Sequence, residues 1–379
     1  MALFARQSHT ATVIVLVLSD SVAIAAVRGG ATPHILHAAL NSLPPGERSP
    51  EQRSTLLIGT LKDTCIAFAG GYGKTPHAKD TPLANVEIHL GAAHVEAATA
   101  SHTIALPDQT TITDAHIADA AAKALASLPA TPRETLESNV IRVHVNGYPT
   151  ANPKGKSGRH MMATVFRSTI EASQKRAVAD AVATAFPGRT PTFRSFARDL
   201  MFVIREHIPV RDQLVVSIEG EATHLLSLRG DDIAAHQSIP LGVSTLMTKM
   251  TGEGSPEETR TLVRLAAKDA CSTAACEGIK AKLASVEPLL VKTCGDGFAA
   301  LSQVYRLPNA SLILADDDVQ PWFEAVFSRL DFAQFTVTSQ PLAVTPLHRA
   351  LRGIVTADVP TTPWIEAAAA ASALYTNTV

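Results

Sequence analysis

Apolar residues along this chain come in short blocks whose period changes from block to block. The first, "TVIVLVLSDSVAIAAV" (Thr12–Val27), is almost unbroken except at Ser19-Asp20-Ser21. A nearly continuous apolar run, cut by a polar turn and too short to span a bilayer, predicts two buried strands. "ATPHILHAAL" (Ala31–Leu40) predicts a third strand. A helix is expected from Pro50 to about Ala69, with Ser49 as its cap and Glu51-Gln52 in its first turn. Gly70–Leu83 reads as a loop. Alternation resumes over Ala84–Leu106 and predicts paired strands about Gly91.

Further on, Thr113 caps a strong helical pattern, Asp114–Leu128. Asn139–Ile170 predicts two strands around a Gly/Pro/Lys loop, followed by helices at Ala172–Phe186 and Arg194–His207. Val215–His236 predicts two strands joined by an Arg229-Gly230 turn. The first of them runs into a bend centred on Glu219-Gly220-Glu221. Helix is expected from Pro256 to about Leu307, then a strand at Ala310–Ala315, an acidic turn and another helix. Hairpins near residues 13 and 214 each open an α/β half. Two such halves facing each other predict a cleft, the usual place for a ligand.

Composition narrows the classes. The chain has 379 residues, 46% hydrophobic and 18% charged, enough for two or more domains. A net charge of −2 gives no global electrostatic case for nucleic acid. Asp20 interrupts the first apolar run, which argues against a signal peptide, so a cytoplasmic protein is expected. Cys65, Cys271, Cys276 and Cys294 suit a reducing compartment. Cys271 and Cys276 form C-x4-C with no fourth ligand at zinc-finger spacing, so they read as small core residues. Gly155-Lys156-Ser157 imitates the end of a phosphate loop, but Thr150 stands where that motif needs glycine. His144 and His160 have no Ser or Cys in a nucleophile-elbow setting, so a hydrolase triad is unsupported.

The order of elements resembles the bacterial actin-like proteins typified by the cell-division protein FtsA and the pilus-assembly protein PilM. "VEIHLGAAHVEAATASHTIALPDQTTITDAHIADAAAKAL" resembles the strands, polar turn and threonine-capped helix that enter the family's inserted subdomain. "NVIRVHVNGYPTANPKGKSGRHMMATVF" resembles that subdomain's two long strands. "LVVSIEGEATHLLSLRGDDIAAHQSIPLG" and "SLILADDDVQPWFEAVF" are similar to its second phosphate hairpin and the strand, turn and helix that follow. The resemblance covers about residues 12–340. It implies an α/β, actin-like fold with two α/β halves around a cleft and a small inserted α/β subdomain of SHS2 type. The expected division is 10–99 for the first half, 100–187 for the insert and 188–212 for a return to the first half. A second half at 213–345 and a C-terminal tail at 346–379 complete it.

The departures from the family fall at the nucleotide site. Where the resemblance calls for Asp and Gly in the first hairpin, Leu16 and Leu18 stand, with Asp20 displaced into the turn. In the second hairpin Ser217, Glu219, Glu221 and His224 replace Asp and Gly positions, while Gly220 and Thr223 remain. The third motif has become Ala315-Asp316-Asp317-Asp318, which reads as a solvated helix start. A carboxylate about 4 Å from a phosphate charge costs ~1 kcal/mol in water and ~4 kcal/mol at an effective dielectric near 20. Glutamate also resists backbone angles that glycine permits. No cofactor is therefore expected.

The expected function is a nucleotide-free scaffold of a membrane-associated machine, in division or type IV pilus assembly, at the inner face of the membrane. Two alternatives stay open. One is a working ATPase that holds ATP and Mg in a rearranged site. The other is an unrelated metal-dependent enzyme using Asp316, Asp317 and Asp318. Partners are expected to be proteins, with the membrane reached only through them, and a homo-oligomer or filament remains open. Tyr148, Lys154, Lys156 and Arg159, on an exposed loop of the insert, are candidate partner-binding residues. The terminal "TPWIEAAAAASALYTNTV" has no Lys or Arg, so a basic amphipathic anchor is not expected there.

Overall fold

The computed structural model describes residues 10–44, 49–230, 232–252, 254–267, 274–303, 305–338 and 340–376. The first apolar block folds as β1 (Ala11–Val17) and β2 (Ser21–Arg28), antiparallel about the Ser19-Asp20 turn. Both faces of this pair are covered, which explains an apolar run without alternation. β3 (His34–Ser42) adds to the outer side of β2. α1 (Pro50–Tyr72) starts at a capping box in which Ser49 and Gln52 satisfy each other's backbone amides. It lays Leu57, Leu61, Cys65 and Phe68 on the outer face of the sheet. After the short α2 (His77–Asp80), β4 (Leu83–Leu90) pairs parallel with β1.

The chain then leaves this sheet. β5 (Val95–Thr111) is followed by α3 (Asp114–Ser127), capped by Thr113, and by β6 (Glu134–Val145), β7 (Tyr148–Pro149) and β8 (Ser157–Ile170). They form a separate four-stranded sheet in the order β5-β8-β6-β7. The expectation that residues 84–106 pair with each other is therefore corrected: β4 joins the first sheet and β5 the second. Alternation reports which faces a strand covers and carries no information about its neighbour. α4 (Ala172–Ala185) returns to pack Val178, Ala181 and Val182 into the core shared with α1. β9 (Thr192–Ser195), four residues long and unanticipated by the sequence, pairs parallel with β4 before α5 (Phe196–His207).

The second half repeats the plan. β10 (Gln213–Ile218), β11 (Thr223–Arg229) and β12 (Asp232–Ile239) form an antiparallel meander. The segment read as two strands is thus three, with the Glu219-Gly220-Glu221 bend and the Arg229-Gly230 turn each reversing the chain. α6 (Val243–Thr251), α7 (Pro256–Ala267) and α8 (Ala274–Ser302) follow, then β13 (Ala310–Leu314), α9 (Gln320–Arg329) and β14 (Ala343–Pro346). The helix expected from 256 to 307 is described as two, and Cys271 lies outside the described residues. Cys65 and Cys294 are buried thiols that burial pushes up to about 12.

The last segment is structural. α10 (Leu347–Ala350) leads to β15 (Thr356–Ala357), which pairs parallel with β3 and so crosses back to the first sheet. α11 (Pro363–Thr376) then lies against α5, β1 and β2. Its Ala367–Ala371 stripe is at most 2% exposed, within one core that contains Ile14, Leu16, Val27, Val215, Leu226 and Leu312. Residues read as a tail thus fill the space between the two halves. Alanine suits that position, because a helix without long side chains can approach another backbone closely and still favours helix. No described helix is long and apolar enough to cross a membrane.

Overpacking that seam should be costly. Ala369→Leu is expected to destabilise the protein by about 1–3 kcal/mol. Urea titration should show this as a lower midpoint at unchanged slope.

Candidate functional site

Two turns face each other across the cleft, each at the end of the first strand of a half. Behind the first, Leu16 and Leu18 are fully buried in the core that joins the halves. Leu18 also packs against Gly91 after β4, where a Cβ would meet its Cδ2 at 3.0 Å. The second turn runs from Glu219 to Ala222 and is closed by the Glu219 N–H donating to the Ala222 carbonyl at 2.9 Å.

The turns hold each other. The Ser19 backbone N–H donates to Glu219 Oε2 at 2.7 Å. In return, the Asp20 carboxyl fills the space beside Gly220. The first loop therefore offers an amide to a carboxylate of the second, in the place where phosphate-binding amides are expected. The approach is close: a Cβ on Gly220 would stand 1.8 Å from Asp20 Oδ2. No described residue of this turn has positive φ, so glycine is needed for space and not for backbone angle. The expectation that Glu219 and Glu221 strain the backbone is corrected on the same ground.

Second contacts fix both loops. The Val243 and Ser244 N–H groups, at the start of α6, donate to the carbonyls of Glu219 and Gly220 at 2.9 and 2.7 Å. Gly242 is required there, since its Cβ would lie 2.4 Å from both carbonyl oxygens. Thr223 Oγ1 donates to the Leu241 carbonyl at 2.7 Å. Glu221 turns the other way and pairs with Arg53 of α1 at 3.2 Å. Leu43 donates its N–H to the Asp20 carbonyl at 2.7 Å, and His94 Nε2 meets the Leu18 carbonyl at 2.8 Å.

The electrostatics follow from burial. Asp20 is pushed up to about 6, first by burial and then by the nearby Glu219 charge, with the Gly220 backbone amide opposing. Burial also raises Glu219, opposed by the Ser19 amide. Ser217 and His224 lie just behind. Both His224 ring nitrogens are buried without a hydrogen-bond partner, and burial holds the ring down to about 4. His236 stacks on it with centroids 6.2 Å apart and is held down to about 4 for the same reason.

The acidic run takes no part in the turn contacts. Asp316 and Asp318 pair with Arg260 of α7, and Arg264 approaches Asp318 at 3.8 Å. Asp317 is raised by burial and by Asp316. Among the described residues no group of three or more His, Cys, Asp or Glu is arranged to hold a metal ion. Asp316 and Asp318 are instead neutralised by arginine from the neighbouring helix, beyond the solvated helix start that the sequence suggests. What remains of the cleft is a cavity of about 110 Å³ lined by Leu40, Leu43, Met247, Arg260, Asp316 and Trp364, among others. Small-molecule sites run to ~300–1,000 Å³.

Tyr148, Lys154, Lys156 and Arg159 sit elsewhere, at the β6–β8 end of the insert. Tyr148 is 75% exposed, and Lys154 pairs with Asp114. Sequence reasoning missed Ser19, Arg53 and Gly242 as parts of the site. Its one available signal was Asp20, the single charge in the Thr12–Val27 run.

Gly220→Ala should force the turns apart. Losing the Ser19–Glu219 hydrogen bond, whose acceptor is a carboxylate, costs about 1.5–3 kcal/mol. A lower melting temperature and a larger radius by small-angle scattering are expected.

No protein-family model and no curated protein matches this chain. Solved structures do. A PilM-PilN type IV pilus biogenesis complex aligns over 97% of this chain and 98% of its own, with a TM-score of 0.57 at 15% identity. The ethanolamine utilization protein EutJ from Carboxydothermus hydrogenoformans aligns over 96% and 91%, at 0.47 and 13%. With two α/β halves, a cleft between them and an inserted sheet, the chain has an actin-like fold, similar over its length to the fold in that pilus-biogenesis complex.

Proposed function

We propose that this protein is an actin-like scaffold that works without nucleotide, its cleft shut by its own side chains. One observation carries the reading: the Ser19 amide is given to the Glu219 carboxylate of the opposite half, at 2.7 Å. That is an amide a phosphate would need, and Glu219 brings a buried negative charge to the same place. An entering phosphate would have to displace a bond made within the chain and meet two carboxyl groups. Leu16 and Leu18 supply apolar packing where a magnesium-binding Asp and a glycine would stand.

The machine we favour is a pilus-type assembly with a membrane-associated protein partner. Similarity of fold to the PilM-PilN complex supports that choice over division. The exposed Tyr148–Arg159 hairpin of the insert is the surface we assign to the partner.

Calorimetric titration with ATP·Mg should give no binding of useful strength. A dissociation constant below about 10 μM, roughly −7 kcal/mol, would overturn the reading. Leu16→Asp combined with Leu18→Gly should lower stability, because each buried leucine contributes about 1.5–3 kcal/mol. An unchanged melting temperature and scattering radius in that double variant would remove the packing part of the argument.

A further inference from the structure

We infer that a second cavity, behind the Glu219 turn, is an internal hydration site that holds a small cluster of ordered water around His224. It lies where three parts of the molecule meet: β5 at Ala97, α5 at Leu200 and the second sheet at Leu226. Its volume is about 40 Å³. A water needs ~10–15 Å³ of such space, so about three fit. The site stands whether or not nucleotide binds in the cleft.

His224 is the reason to assign water there. Its side chain is buried, at 4% exposure, yet neither Nδ1 nor Nε2 has a hydrogen-bond partner within the protein. A neutral imidazole carries one donor and one acceptor, and leaving both bare in an interior is destabilising. Three more polar side chains reach the cavity wall: Ser217, Glu219 and His236. Ser217 faces His224 across the β10–β11 pair. Glu219 gives Oε2 to the Ser19 amide, while its Oε1 stands 3.9 Å from His224 Nε2. That separation is too long for a direct hydrogen bond and suits a shared water.

Other occupants fit less well. Among the described residues no group of three or more His, Cys, Asp or Glu is arranged to hold a metal ion. An anion would meet the Glu219 carboxylate. Organic ligands need ~300–1,000 Å³. Cavities that stay empty are apolar, whereas one with two to four polar partners holds water. The joint between the insert and the second half is then wet, beside the direct bond from the Ile233 N–H to Thr99 Oγ1 at 2.9 Å.

A high-resolution crystal structure of the full chain, solved with and without xenon pressure, tests the site. Water peaks are expected within about 3.2 Å of a His224 ring nitrogen, and xenon is expected to stay out. Xenon in the cavity, or a cavity without density, overturns the site. In solution, oxygen-17 relaxation dispersion counts long-lived internal waters. Ala97→Leu fills the space from the β5 side and should lower that count by about three. His224→Phe removes both ring nitrogens, should lower the count too, and serves if the first variant folds poorly. An unchanged count in a folded variant overturns the site.

Discussion

The structure depends on one constraint: a backbone amide buried in a closed cleft must have an acceptor. In a nucleotide-binding cleft the ligand can supply it. Here the chain does, through Glu219 for Ser19. That choice dictates the residues around it. Gly220 has no side chain because Asp20 fills the space, and Gly242 has none because two carbonyls do. Arg53 is drawn to Glu221, so the second carboxylate of the bend is neutralised away from the pair.

The contact between the turns closes halves that are already joined by packing. α5 and α11 lie in a single core with β1, β2, β10, β11 and β13, so apolar packing runs continuously from one half to the other. A polar handshake alone would be weak, because hydrogen bonds exchange with water for a net gain of about 1–3 kcal/mol each. Placed at the rim of an apolar seam, it acts on a hinge whose states differ by only a few kcal/mol and can decide between them.

Much of the fold was legible from period and punctuation. The caps at Ser49 and Thr113, the strands at 11–28 and the bend at 219–221 all follow from local chemistry. Strand partnership was not legible, as β4 and β5 show, because alternation is silent about neighbours. β9 is too short to signal itself. The alanine helix α11 gave no amphipathic stripe, since nearly all its described residues are buried. At the site, the sequence marked Glu219 and Glu221 as hostile to phosphate. It could not show that the two point in different directions, one to an amide 200 residues away and one to Arg53.

An internal acceptor also changes the physics of control. A ligand closes a cleft by mass action, in proportion to its concentration over its dissociation constant. Glu219 is tethered, so its effective concentration at Ser19 is fixed by the fold and cannot be diluted away. On the reading proposed above, nucleotide level has no purchase on the hinge. What can still act is whatever changes the contacts of the two turns, of the insert or of the alanine seam.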